Sequence, residues 1–229
     1  MRKTLSLVSL FLNLCIVAPL AAQGEAAPDY TKIRQITTDS KDPSYYPVLM
    51  QKFIDCDTTL TLEDYRNLYY GFALREDYIP YQRENKEILA IRRKLIADTC
   101  NVDLCPKAIK ISKEALSDNP FDLIALSIIP VCYLQMGDTT NYHLWNDKLH
   151  GILDAINSSG NGESAETAIH VINIQHEYEI FNRLNLELDQ VEVVNAQTEF
   201  IRAKENTDSI KGVYFNFGVC SNLYRKKYK

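Results

Sequence analysis

The residues best suited to chemistry in this sequence are the adjacent pair His176 and Glu177, in the segment HVINIQHEYEI. A histidine can act as a general base when a carboxylate orients its ring, and the glycine-containing turn at Asn157–Glu166 offers backbone amides to an oxyanion. The surrounding pattern opposes this interpretation. Apolar and polar residues alternate as in a half-buried strand, and neighbours on a strand point to opposite faces. We therefore favour a hydrogen-bonded core histidine and assign no catalytic residue.

The histidines do not form a metal-binding pattern. His143 and His150 have a spacing that shares a helix face, but His170 and His176 lie six residues apart on the predicted strand, about 20 Å. The sequence has no HExxH motif and no clustered cysteine and histidine pattern, and the serines of the glycine turn stand in no G-x-S-x-G elbow. We expect no metal and no cofactor, and the sequence favours a protein without catalysis while leaving the question open.

Tyrosines provide the other candidate site, in the stretch LEDYRNLYYGFALREDYIPY. Tyr65 and Tyr69 fall on a continuous apolar helix face and are expected in the core. A second strip runs round the side of the helix and comprises Tyr70, Leu74, Tyr78 and Tyr81. Its rings either pack against a neighbouring helix with their hydroxyls in water or form a binding platform. The candidate ligand or partner surface is therefore Tyr70, Tyr78, Tyr81, Asn161, His176 and Glu177.

The N-terminus has the pattern of a signal peptide over residues 1–22. Arg2 and Lys3 precede an uncharged apolar run, Leu5–Leu20, which is shorter than a membrane-spanning helix and ends at the small residues Ala21 and Ala22. This predicts a protein exported to the periplasm or outside the cell, with no transmembrane segment. A lipoprotein acylated at Cys15 is disfavoured, because the residues before that cysteine are not small.

The net charge and the cysteines bear on the class of protein. The formal net charge of −5 lacks the basic footprint of a nucleic-acid-binding protein. Cleavage of the signal peptide would leave an odd number of cysteines, namely Cys56, Cys100, Cys105, Cys132 and Cys220. Cys100 and Cys105 are near enough in sequence for a local disulfide, and two unpaired thiols are the alternative. The sequence does not indicate an oligomeric state.

Helical patterns dominate residues 42–156, after a segment at 23–41 that we expect to be flexible. Pro47 opens one helix, and Thr61 with Asp64 offers a capping box to the next. A helix over Gln82–Ala97 is predicted to bury Ile88, Ile91, Leu95 and Ile96. Leu126, Ile129, Pro130 and Tyr133 have the spacing of a tetratricopeptide repeat, and a further helix is predicted at Asn141–Ile156.

The period changes to that of strands beyond the turn at residues 157–167. Strands are predicted over 170–180, Thr198–Ala203 and Val213–Val219, whereas Leu184–Asn195 reads equally as strand or short helix. The sequence thus predicts an α+β fold in which N-terminal helical hairpins of tetratricopeptide type pack on a small C-terminal antiparallel β-sheet. We expect one integrated domain over residues 42–229, with the mainly β part at 168–229.

Three stretches resemble the hallmark segments of a secreted family of unknown function from Bacteroidetes: DCDTTLTLEDYRNLYYGFALREDYIPY, INSSGNGESAETAIHVINIQHEYEIF and IKGVYFNF. The likeness covers nearly all of the chain after the signal peptide. The glycine turn of that family usually reads SGDG, and Asn161 stands where the aspartate would be, which weakens any use of the turn as a carboxylate site. The resemblance implies location and architecture, and it implies no activity, cofactor or catalytic residue.

Two classes of function fit these observations. The first is a non-catalytic module that binds a protein or peptide in a groove between helical hairpins. The second is an exported protein that binds a small ligand or glycan, or a hydrolase, with its site between the helices and the sheet near Tyr78, Tyr81, Asn161 and His176. We favour the first.

Overall fold

The computed structural model of this 229-residue chain describes residues 26–79, 85–97 and 101–222. The fold is α+β, with most helices ahead of a C-terminal sheet. The helices are α1 (Tyr30–Thr38), α2 (Tyr46–Ile54), α3 (Leu62–Phe72), α4 (Lys86–Ala97), α5 (Cys105–Asp118), α6 (Leu123–Gln135), α7 (Thr139–Asn157) and α8 (Ile174–Arg183). The strands are β1 (Ile169–His170), β2 (Leu188–Val193), β3 (Thr198–Ala203) and β4 (Gly212–Asn216). No helix among these residues is both long and apolar enough to cross a bilayer.

The sheet has the strand order β1-β4-β3-β2. Its larger part is antiparallel, as predicted, since β3 pairs with both β2 and β4 in that direction. The short β1 adds to β4 in parallel, which the sequence did not predict. The predicted strand at Thr198–Ala203 is confirmed as β3, and the strand predicted near the C-terminus is confirmed over Gly212–Asn216.

Local start signals place several helices where the sequence predicts them. The Thr61 hydroxyl accepts from the backbone amide of Asp64, whose carboxylate accepts in return from the backbone amide of Thr61, so the capping box is complete. Pro47 stands in the first turn of α2. Ile96 is an exception, because its side chain is 60% exposed rather than inside α4.

Helix α1 lies inside the segment for which we expected flexibility. The Asp29 carboxylate caps it by accepting from two first-turn amides, and it buries Ile33 and Thr37, one turn apart, against α3. Two buried residues are too few for a helical period to be recognised in the sequence, so this helix was not predicted.

The strand predicted over residues 170–180 is wrong, because β1 ends at His170 and α8 begins at Ile174. The Asn173 side chain accepts from the backbone amide of Gln175 and caps this helix. Its buried residues include His176 with Ile180 and Glu177 with Phe181, two pairs at the i, i+4 spacing of a helix face. Residues at i and i+4 lie on one face of either a strand or a helix. Over a short segment, the alternation that predicted a strand therefore also fits a helix.

Helices α5, α6 and α7 pack in sequence order, each against the next. Gly137 forms the turn between α6 and α7 with a φ of 76°, a left-handed conformation that glycine adopts without a steric penalty. This arrangement agrees with consecutive hairpins, and their classification as tetratricopeptide-like stays a prediction.

One hydrophobic core connects the first helices with the sheet. It contains Leu68 and Tyr69 from α3, Ile152 from α7, and Ile201 and Phe215 from the sheet, all essentially inaccessible to solvent. A second cluster fills the space between α4, α5 and α6. The apolar faces of helices and sheet therefore bury one another, as the α+β prediction required.

A hydrogen-bond chain at the Tyr69 hydroxyl joins α3 to the start of α8. The hydroxyl accepts from the backbone amide of Ile172 at 3.2 Å and lies 2.7 Å from Nδ1 of His176. The backbone carbonyl of Phe121 lies near the same imidazole ring and acts to raise its pKa. The Tyr69 hydroxyl therefore connects the Ile172 amide with the His176 ring.

Two further tyrosines hold the same segment. The Tyr70 hydroxyl donates to the carbonyl of His170 at 3.2 Å, and the Tyr78 hydroxyl donates to the carbonyl of Ile172. The thiol of Cys220 reaches that second carbonyl at 2.7 Å. We call Tyr69, Tyr70 and Tyr78 the tyrosine clamp, since together they satisfy the backbone between β1 and α8.

Replacing Tyr69 by Phe is expected to lower the free energy of unfolding by about 1–3 kcal/mol, because it leaves the Ile172 amide and His176 Nδ1 buried without a partner. Urea unfolding followed by circular dichroism measures the change. Tyr178→Phe is the matched control, since that ring lies on α8 and is 37% exposed. Equal losses in the two variants would contradict the role of the clamp.

Candidate functional site

The first turn of α8 forms a cleft with the start of α4 and the turn between α5 and α6. The cleft is shallow, with a cavity volume of about 20 Å³, which is roughly the space that one water molecule needs. Its apolar lining comes from Ile88, Leu89, Leu123 and Ile124. Aliphatic side chains from α4 and α6 therefore provide one surface of the cleft, and polar groups provide the rest.

The polar lining is dominated by four carboxamide side chains: Asn85, Asn119, Asn173 and Gln175. Each carboxamide carries a donor and an acceptor, so the four together match a ligand with both kinds of group. The other polar lining residues are Asp122, His176 and Glu179. Serine, threonine, cysteine, lysine and tyrosine are absent from the described lining.

Helix capping holds several of these side chains in place. The Oδ1 atoms of Asn85, Asp122 and Asn173 accept from first-turn amides of α4, α6 and α8 at 3.0 Å. Three helix N-termini therefore converge on the cleft, each already capped by its own side chain. The oxygens are occupied, and the NH₂ groups of Asn85 and Asn173 are the parts that capping leaves for a ligand.

His176 lines the cleft but is committed to the core. Its side chain is buried, and Nδ1 forms a hydrogen bond with the Tyr69 hydroxyl. Burial lowers the pKa of His176 to about 4, while the Phe121 carbonyl acts in the opposite direction. The ring is neutral near pH 7, and Nδ1 cannot act as a general base without breaking the Tyr69 bond.

An ion pair joins two walls of the cleft. Nη1 of Arg92 on α4 donates to Oε1 of Glu179 on α8 at 2.6 Å, and the carboxylate side chain is only 10% exposed. A partly buried, charge-assisted bond of this kind is stronger than a surface pair. It fixes the separation of α4 and α8 and neutralises the Glu179 carboxylate.

Glu177 lies outside the cleft lining and is fully buried. Within the described part of the chain neither of its carboxylate oxygens has a hydrogen-bond partner. Burial raises the pKa of Glu177 to about 9, and the nearby carboxylate of Glu199 on β3 adds to the shift. Glu177 is therefore protonated at neutral pH. It does not pair with His176, because the two groups occupy different environments.

The remaining predicted residues do not converge on the cleft. Tyr70 and Tyr78 are buried in the tyrosine clamp and present no surface to a ligand. Asn161 is exposed, and its Oδ1 accepts from the backbone amide of Glu163 at 3.0 Å within the glycine turn. Tyr81 lies outside the residues that the structure describes.

The glycine turn packs against the sheet. A Cβ at Gly160 would lie 2.4 Å from the carbonyl oxygens of Thr167 and Ala168, and one at Gly162 would lie 2.5 Å from the side chain of Val213. These glycines are therefore explained by close approach of the chain to β1 and β4. This agrees with a structural connector rather than an anion cradle.

Only one cysteine of the predicted disulfide lies within the described residues. Cys105 is buried at the start of α5, and its thiol lies 3.2 Å from Oε1 of Gln135. Cys100 lies outside the described residues, so the pairing stays a prediction. No three His, Cys, Asp or Glu side chains of the described chain gather closely enough to hold a metal ion.

Sequence reasoning missed Asn85, Asn119, Asn173 and Gln175. A signal existed for the capping residues, because asparagine or aspartate directly before a helical pattern is typical of a helix start. The convergence of three helix N-termini on one cleft could not be predicted from the sequence, because it depends on how α4, α6 and α8 pack.

Replacing Glu177 by Gln is expected to remove a pH-dependent loss of stability. The native protein keeps a proton on this group up to a pKa of about 9, whereas the unfolded chain releases it near pH 4.5. The wild type therefore loses stability as the pH rises between these values, by up to about 1.4 kcal/mol per pH unit. Glutamine imitates the neutral acid and cannot ionise.

The measurement is the melting temperature from pH 5 to pH 8. We expect wild type and Glu177→Gln to differ little at pH 5, with the variant increasingly more stable toward pH 8. Glu205→Gln is the control, because Glu205 is exposed on a loop. Curves for wild type and Glu177→Gln that run parallel across this range would show that Glu177 is ionised in the fold.

Comparison with known proteins identifies a family but no activity. Searches of curated proteins and of solved structures gave no match. A family model described as a domain of unknown function, DUF4919, matches residues 31–226, which is most of the chain and includes all of the helices and strands that form the cleft. The chain therefore belongs to the DUF4919 family.

Proposed function

We propose that this is an exported, non-catalytic binding protein that takes a short peptide segment of a partner protein into the cleft between α4, the α5–α6 turn and α8. The observation that carries the proposal is the set of carboxamides on an aliphatic surface. Ligand sites typically combine an apolar surface with a few well-placed polar groups.

A peptide suits this lining because a carboxamide and a peptide bond have the same donor and acceptor pair. Gln175 can bond to both a backbone amide and a backbone carbonyl of the ligand. Asn119 can donate its NH₂ group to a carbonyl, because its Oδ1 already accepts from the backbone amide of Phe121 at 3.3 Å. The aliphatic residues Ile88 and Leu123 offer contact to an apolar side chain of the ligand. The cavity volume of about 20 Å³ is far below that of small-molecule sites. A peptide would therefore lie across the mouth of the cleft and place no more than one small group inside it.

Several observations favour binding over catalysis. The described lining has no serine, threonine, cysteine or lysine. The Asp122 carboxylate caps α6, Nδ1 of His176 is bonded to Tyr69, and Glu179 is paired with Arg92. A hydrolase would need at least one free base or nucleophile at the ligand. The described lining therefore favours recognition of a ligand over its conversion.

A glycan is the second candidate ligand. Asparagine and glutamine side chains also bond to pairs of sugar hydroxyls, which the four carboxamides would permit. No aromatic ring other than the imidazole of His176 belongs to the described lining, so the stacking surface that we expected for a sugar is absent from it. This ranks a glycan below a peptide.

Export is part of the proposal and rests on the N-terminal sequence. Residues 1–22 have the charge, apolar run and small residues of a signal peptide. Mass spectrometry of the mature protein from the native host would test it, and we expect the chain to begin at Gln23. An intact Met1 on the mature chain would refute export by this route.

Replacing Gln175 by Ala is expected to weaken peptide binding by about five- to ten-fold, the effect of losing one or two hydrogen bonds. In the described part of the chain this carboxamide makes no hydrogen bond, so its removal should leave folding intact. The peptide comes from panning a random displayed library on the purified protein, and titration calorimetry gives its affinity.

The control for this experiment is Gln190→Ala, because Gln190 is an exposed glutamine on β2 outside the cleft lining. It should bind the peptide as the wild type does. Equal binding by Gln175→Ala would place the peptide elsewhere, and panning that enriches no peptide while an array of sugars gives saturable binding would favour the glycan.

A further inference from the structure

A second site lies outside the cleft, where Lys148 of α7 is buried without an acidic partner. Its side chain is 6% exposed. The ammonium nitrogen lies 4.2 Å from the ring centroid of Phe53 and 4.5 Å from that of Trp145. In the described chain no carboxylate forms an ion pair with Lys148, and no acceptor takes a hydrogen bond from it.

Such burial leaves a charge only partly compensated. Lysine is almost never fully buried unless it is paired. The faces of Phe53 and Trp145 attract the ammonium, but this attraction is weaker than the hydration free energy that a cation loses when it leaves water. An ammonium also carries three N–H donors, and ring faces are weak acceptors. The group is therefore suited to an anionic partner from outside the described chain.

A second ammonium stands on the same indole. Lys113 of α5 is exposed, and its nitrogen lies 5.4 Å from the Trp145 ring centroid while donating to the Tyr133 hydroxyl at 3.2 Å. Two like charges therefore share one ring. Burial lowers the pKa of Lys148, and Lys113 lowers it further, against opposite influences from Cys56 and Asp55.

The neighbouring carboxylate is already engaged. Both oxygens of Asp55 accept from Nε2 of Gln51, at 3.0 and 2.9 Å. Asp55 and Cys56 follow α2 in the chain, so they supply some negative potential near Lys148 without pairing with it. No carboxylate of the described residues lies within ion-pair distance of Lys148.

We propose that Lys148 and Lys113 bind the oxyanion of a small ligand, a carboxylate or phosphate group, beside Trp145. An anion near both ammonium groups would relieve their mutual repulsion and accept the N–H donors that the rings leave unused. The partly exposed indole would contact the rest of the ligand. None of these residues lines the cleft, so this site does not depend on the proposed function.

Intrinsic fluorescence tests the proposal, because Trp145 is the only tryptophan in the chain. Sodium phosphate and sodium acetate are titrated separately into the full protein, with sodium chloride keeping the ionic strength constant. We expect at least one of the two to change the fluorescence saturably and to raise the melting temperature. The anion that does so identifies the group that the site takes.

Lys148→Met should weaken this binding by about ten-fold or more, the effect of losing a charged hydrogen-bond donor. Lys113→Met should weaken it less, since that lysine is exposed. Lys107→Met is the matched control, because Lys107 is an exposed lysine on α5 without an aromatic neighbour among the described contacts. It should respond as the wild type does.

Three results would overturn the proposal: no saturable response to either anion, an equal response to chloride, or an undiminished response in Lys148→Met. If Lys148→Met does not fold, Lys113→Met decides the question, because an exposed lysine can be replaced without loss of the core. An unchanged affinity in that variant would then exclude the shared site.

Discussion

The hydrogen bonds at the Tyr69 hydroxyl are the constraint on which the position of α8 depends. β1 is only two residues long, so the Ile172 amide that follows it has no strand to pair with, and a buried backbone donor cannot be left unsatisfied without a cost. A side chain from α3 takes the place of a strand partner. The same hydroxyl engages Nδ1 of His176 one turn into α8 and thereby sets the rotation of that helix.

This rotation separates the environments of two adjacent residues. Successive side chains on a helix point about 100° apart, so when His176 faces Tyr69 and the cleft, Glu177 must face elsewhere. It is buried near Glu199, and both groups have raised pKa values because of burial. The helix rotation that places His176, Glu179 and the Asn173 cap at the cleft also buries Glu177, which is therefore a neutral acid. A pair that suggested catalysis in the sequence is thus divided between two structural tasks.

The sequence predicted what is encoded locally and failed where distant segments decide. The capping box at Thr61 and Asp64 and the strand Thr198–Ala203 are complete within a few residues, and both are confirmed. Tyr70 is buried and bonded to the carbonyl of His170, one hundred positions away, so a ring that seemed to face the side of a helix lies in the core. The strand predicted over 170–180 failed for a related reason. Asn173 was a readable start signal inside the alternating pattern, but only the contact with Tyr69 shows that the chain turns into a helix there.

The two proposed sites differ in how far their polar groups are satisfied within the fold. In the cleft, the caps at Asn85, Asp122 and Asn173 and the Arg92–Glu179 pair immobilise the polar groups before any ligand arrives, so binding would cost little ordering of the walls. Such preorganisation favours recognition of a ligand. At Lys148 the opposite holds, because the charge is placed by packing and is not neutralised. A cleft whose polar atoms are largely satisfied selects a ligand by shape and by weak neutral bonds, whereas an uncompensated cation selects by charge. The two proposed ligand groups, one neutral and one anionic, differ because the two sets of side chains are satisfied to different extents within the fold.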